Sequence, residues 1–170
     1  MTANNVSRLE VMSNMLVKIS SFLLIILMLF MVSVTGAQVF FRYILNHALS
    51  WPEEVNIFMM AWITFIGSSV AIAKQKHMGV TFFRDKLPSN WQRIIVFLSH
   101  IAMLCFVCVL IFKGWETAME FTEVYSDALE IPIVYARMSI VVGSFMMSFQ
   151  LVILILKDAL LFLGDKEQEQ

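Results

Sequence analysis

Few residues of this chain carry reactive side chains in a recognisable pattern. Cys105-x-x-Cys108 has the spacing of a redox or metal-binding thiol pair. It lies inside an apolar run, however, with no neighbouring His, Asp or basic residue to lower a thiol pKa, so both cysteines read as small packing residues. His100 is alone in the same run. A membrane cytochrome needs paired intramembrane histidines as axial ligands, and His47 and His77 fall at helix ends on opposite sides of the bilayer. The chain is therefore expected to have no catalytic site, no bound metal and no cofactor, and not to be an enzyme.

Charged residues form two further groups. Arg42 ends one apolar run, and Glu53 and Glu54 open the next across a short turn, which suits a structural ion-pair clamp. Acids at a helix N-terminus also complement the macrodipole, so capping alone would account for both. Glu116, Glu120, Glu123, Asp127 and Glu130 recur at helical spacing and predict an amphipathic helix over residues 113–131, with a bend near Gly114. Its acidic face reads either as a solvated surface or as a docking face for an extracytoplasmic partner.

The elements that must position these groups are transmembrane helices. Four runs, 19–41, 55–73, 94–112 and 138–156, contain no Asp, Glu, Lys or Arg. Each is long enough to cross the ~30 Å hydrocarbon core, which takes roughly 20 helical residues. The expected fold is all-α, a single membrane domain over residues 1–170 with four spans plus short interfacial amphipathic helices. Barrel strands alternate over ~10 residues, and these runs do not. Ser50-Trp51-Pro52-Glu53 reads as a capping box for the second helix, and Ser89-Asn90-Trp91-Gln92 as one for the third. Residues 4–20 read either as a short interfacial helix running into the first span or as a polar terminus. The small pairs Ser33/Ala37, Gly67/Ala71 and Ser139/Gly143 have helix-packing spacing, and Gln38, Thr64 and Gln150 are placed to hydrogen-bond between helices.

Composition agrees: 59% of the 170 residues are hydrophobic and only 15% charged, against about 25% charged in soluble domains. The net charge of -1 gives no reason to expect a nucleic-acid partner, whereas phospholipid surrounds any such chain. Arg8, Lys18, Lys74, Lys76, Arg84, Lys86, Arg93, Lys157 and Lys166 fall on one side, and only Arg42, Lys113 and Arg137 on the other. The positive-inside rule then predicts both termini in the cytoplasm. Ionisable groups within spans mark transport pathways, and none is visible here. That weighs against a stand-alone carrier, as the lack of paired histidines weighs against an electron-transfer membrane anchor; both stay open as alternatives.

Phe41-Arg42-Tyr43, Trp51-Pro52-Glu53-Glu54, then Trp62, Phe65 and Gly67, then His77-Met78-Gly79-Val80, resemble in order and spacing the signature region of a known family. It is the small membrane (Q) subunit of tripartite ATP-independent periplasmic (TRAP) transporters. The whole text is similar to small subunits of sialic-acid systems, although no residue encodes that substrate. The resemblance implies an inner-membrane subunit that braces a large membrane subunit. That partner would carry the sodium and substrate sites, and a periplasmic binding protein would deliver an organic acid, sialic acid or a C4-dicarboxylate. It also makes Arg42, Trp51, Glu53, Glu54, Trp62, Gly67 and His77 the expected structural and subunit-interface residues.

Overall fold

The computed structural model describes residues 2–74 and 89–168, with side chains described over 8–74 and 94–159. Within them the chain forms four helices: α1 (Thr2–Tyr43), α2 (Trp51–Ala73), α3 (Ser89–Glu120) and α4 (Val134–Gln168). Each contains a stretch long and apolar enough to cross a membrane: Arg8–Tyr43, Trp51–Ala73, Ile94–Glu120 and Val134–Ala159. The all-α expectation holds, since no strand occurs among the described residues beyond one isolated bridge, Tyr125 to Pro132.

The helices run past the apolar stretches that identify them. The N-terminal lead is continuous with the first span, giving a 42-residue helix about 63 Å long, roughly twice the hydrocarbon thickness. At its end Asn46 adopts φ 50°, a left-handed conformation that Asn tolerates better than most residues. The His47 amide then folds back to donate to the Phe41 carbonyl. The second helix starts at Trp51 with Pro52 in its first turn, as anticipated, but Ser50 is itself in a helical conformation and its side chain makes no capping hydrogen bond. The expected capping box at Ser89 to Gln92 involves side chains outside the described residues.

The largest departure concerns 113–131. There is no separate five-turn amphipathic helix: α3 continues through Gly114 to Glu120, and the chain then forms an irregular loop. In this loop Ser126 N–H donates to Ile131 O and Ile133 N–H donates to Val124 O, a short hairpin-like pairing that removes the amides from any helical ladder. Glu130 sits at φ 54°, incompatible with continuing a right-handed helix. Gly114 is a contact rather than a bend. A Cβ there would lie 2.9 Å from Ile140 Cγ2, so its missing side chain lets α3 approach α4.

Packing centres on α4. It makes extensive contact with α2 and with α3, while α1 lies mainly on α2 and touches α4 less. Half of the α4 span is buried, against 6% of the α1 span. The core cluster joins Ile72 of α2, Val107 of α3 and Met147, Leu151 and Leu154 of α4. Its seams are lined by small side chains, with Ser20, Ser69, Ser139 and Ser144 fully buried. Lipid tails are as apolar as leucine, so close approach of backbones through small residues is what favours helix association here.

The three small-residue pairs behave differently. At Gly143 a Cβ would fall 2.9 Å from the Phe65 carbonyl carbon, so α2 and α4 are in direct backbone contact there. Gly67 has nothing within 4 Å of such a Cβ, and Ser33 is exposed, bonding to its own Leu29 carbonyl. Gly143→Ala should therefore force Phe65 and α4 apart, costing about 1–3 kcal/mol as overpacking does. Gly67→Ala should leave thermal stability unchanged or slightly raised. Melting curves of the two variants in detergent check the contrast.

Candidate functional site

Polar contacts between elements concentrate at the two ends of the bundle. At the far end, where α1 finishes and α2 begins, the residue with the most partners is Glu54. Its carboxylate accepts the amide of Ala128 at 3.0 and 3.1 Å and that of Leu129 at 2.9 Å. Glu54 lies in the first turn of α2, so a position fixed by a helix holds the α3–α4 loop against the bundle. Nearby, Gln38 Nε2 donates to Glu53 at 3.3 Å and Asn56 Nδ2 donates to Thr35 Oγ1 at 3.0 Å, tying α1 to α2. The Arg137 guanidinium lies 3.7 Å from the Phe121 ring centre, a cation–π contact that links the same loop to the start of α4.

This arrangement replaces the expected clamp. Among the described residues Arg42 forms no ion pair with Glu53 or Glu54. It is exposed, its guanidinium 6.0 Å from the ring centre of the adjacent Tyr43. Both acids are engaged elsewhere, Glu54 by backbone amides that three charge-assisted contacts make the stronger partner. Trp51 is exposed at the start of α2, Trp62 is half-buried midway along it, and Gly67 faces open space. His77 lies outside the described residues.

The acidic residues do not share one helical face. Glu116 and Glu120 end α3, Glu116 pairing with Lys113 at 2.6 Å, while exposed Glu123, Asp127 and Glu130 sit on the loop that Glu54 holds. What unites them is one end of the bundle.

At the near end, where α1 begins and α2 and α4 run out of apolar residues, α4 is fastened to both neighbours. Ser13 Oγ donates to Gln150 Oε1 at 2.7 Å, and Lys157 pairs with Glu10 at 2.5 Å, joining α4 to α1. His100 Nδ1 lies 2.8 Å from Asp158 Oδ2, joining α3 to α4, with side-chain exposures of only 8% and 20%. His100 is thus not alone, and a half-buried ionisable pair exists that reading the apolar runs alone had missed. Asp158 falls two residues beyond the 138–156 run. The usable signal was the continuation of the helix past its apolar run: Gln150 and Lys157, seven residues apart, share the side that meets α1, and Asp158, the next residue, turns about 100° toward α3. Among the described residues the Thr64 hydroxyl donates to the Met60 carbonyl of its own helix rather than to another helix. Cys105 and Cys108 are exposed on the outer surface of α3 rather than packed within this chain. No group of three or more metal-ligating side chains occurs among the described residues.

Four long apolar helices with their polar contacts at the two ends define a multi-pass helical membrane protein. The family model for the DctQ component of tripartite ATP-independent periplasmic transporters matches residues 31–161, and the chain belongs to that family of small TRAP membrane subunits. It is 26% identical over 142 residues to the sialic acid TRAP transporter small permease protein SiaQ of Vibrio cholerae, covering 84% of this chain and 82% of that one. The C4-dicarboxylate TRAP transporter small permease protein DctQ of the same organism is 28% identical over 98 residues, 58% of this chain and 42% of its own length. A third relative, the sialic acid TRAP transporter permease protein SiaT of Haemophilus influenzae, is 28% identical over 76 residues, 45% of this chain but 12% of that protein.

Glu54→Ala should release the α3–α4 loop. Amide hydrogen exchange at Ala128 and Leu129 is expected to accelerate on the order of tenfold, with little change in the α4 core around Leu151. Arg42→Ala should alter neither.

Proposed function

We propose that this chain braces the stationary part of a large TRAP permease and binds no substrate itself. The carrying observation is where its charges go. The charged groups that link its helices are committed to one another or to backbone at the two ends of the bundle: Glu54, Glu10 with Lys157, and His100 with Asp158. A coupled carrier needs polar or ionised groups facing a cavity within the membrane. The groove midway along α3, about 240 Å³, has Ile72, Phe106, Val107, Leu110 and Met147 among its lining and no charged side chain.

In this reading sodium and the organic acid are bound by the large subunit, and a periplasmic binding protein delivers the acid. The substrate is a sialic acid or a C4-dicarboxylate, the two classes carried in the relatives' names. Similarity between part of this chain and a short stretch of a much longer permease polypeptide supports direct contact with the large subunit. The chain has no catalytic role. It lies in a bacterial inner membrane with both termini in the cytoplasm, a placement supported by the excess of Lys and Arg on the near-end side. The acidic loop held by Glu54 then faces the periplasm, where it is available to the binding protein.

Two experiments test this. Purified chain in liposomes, with the binding protein and labelled sialic acid or succinate outside and an inward sodium gradient, should show no uptake until the large subunit is added. Gradient-driven uptake by this chain alone would revive the stand-alone carrier, with His100 and Asp158 as the first residues to mutate. For orientation, a cysteine at Glu123 in a background without Cys105 and Cys108 should react with impermeant reagent applied from the periplasm. One at Ser89 should not; the reverse pattern inverts the topology.

A further inference from the structure

A half-open cleft of about 400 Å³ lies at the near end of the bundle between α1, α2 and α4. Its walls include Glu10, Ser13 and Asn14 of α1, Lys74 at the end of α2 and Lys157 of α4, over a floor of Ile153 and Leu154. The level is set by the sequence: Lys74 directly follows the apolar run of α2, and Lys157 that of α4. A cleft at that height meets lipid headgroups.

We propose that this cleft binds the phosphodiester of a phospholipid headgroup. Among its charged side chains the Glu10 carboxylate is already neutralised by Lys157. The Lys74 ammonium and the Asn14 amide have no side-chain hydrogen bond or ion pair among the described residues. Lys74 is also the C-cap of α2, where its positive charge offsets the partial negative charge of the last carbonyls, so the helix end does not repel an anion unopposed. Phosphate oxygens are acceptors only, and the free groups at the rim include an ammonium and an amide that supply N–H donors. The apolar floor suits the glycerol and first methylenes behind a phosphodiester. This inference depends on the chain lying in a membrane and not on its role beside a large subunit, so its failure would leave the proposed function standing.

General attraction of lysines to an anionic surface would not distinguish a site. The test therefore compares two lysines. Lys18 is exposed on α1 and does not line the cleft. The full chain in detergent micelles is titrated with phosphatidylglycerol and the bound fraction read by native mass spectrometry. Wild type should take up one lipid per chain. Lys74→Gln should weaken binding about fivefold, the effect of one basic group at an anionic surface. Asn14→Leu, which leaves the charge unchanged, should weaken it roughly twofold or more, while Lys18→Gln stays close to wild type. Both cleft positions are exposed, and melting temperatures equal to wild type will show that the variants are folded. If excess inorganic phosphate fails to displace the lipid, the occupant is a headgroup; if it displaces it, the same cleft takes free phosphate. Equal effects of Lys74→Gln and Lys18→Gln, or binding of neither lipid nor phosphate by wild type, overturn the site.

Discussion

Hydrocarbon offers no hydrogen bonds, so every peptide N–H and C=O within it must be satisfied by the chain itself, and helices are the way a single short chain does this. The same solvent removes the ordinary reason for helices to associate, because an apolar face gains little by leaving lipid for another apolar face. What remains is close packing and a small number of polar contacts. This molecule places the two in different regions. Gly114 against Ile140 and Gly143 against Phe65 bring backbones together within the bundle, and the fully buried serines line its seams. The interhelical hydrogen bonds and ion pairs cluster toward its ends, where water is nearer and charge is less costly.

That division makes α4 the shared partner. It carries Gly143 against α2, Ile140 against Gly114 of α3, and Gln150, Lys157 and Asp158 as fasteners to α1 and α3. The opposite end is organised by α2, whose Glu54 fixes the loop leading into α4. The bracing role proposed above would draw on this rigidity, which is centred on α4, the helix with half of its span buried.

The parts legible in the sequence were those written in local composition. Long charge-free runs identify four spans because the bilayer enforces their length, and Pro52 marks where α2 starts. The contacts between distant residues were harder to read. His100 and Asp158 are 58 positions apart, and only the continuation of α4 beyond its apolar run brings them together. Glu54 was singled out but assigned to Arg42, because the side chain of an oppositely charged residue is visible in a sequence whereas a loop amide at Ala128 is not. The acidic residues from Glu116 to Glu130 kept helical spacing while three of the five left the helix. Periodicity describes a helix that could form, and here the Glu54 anchor and the pairing of 124–133 compete successfully for the same backbone amides.

The central place of α4 also bears on how the protein is made. Helices enter the membrane in the order in which the ribosome delivers them, so α1, α2 and α3 arrive before the helix that joins them. α1 and α2 can pair at once through Asn56 and Thr35, but α3 has no backbone-level contact with either among the described residues. Until the fourth segment is translated, α3 lacks the partner that covers His100 and the small face at Gly114. The order of the segments thus places the joining helix last, and the full packing of α3 waits on it.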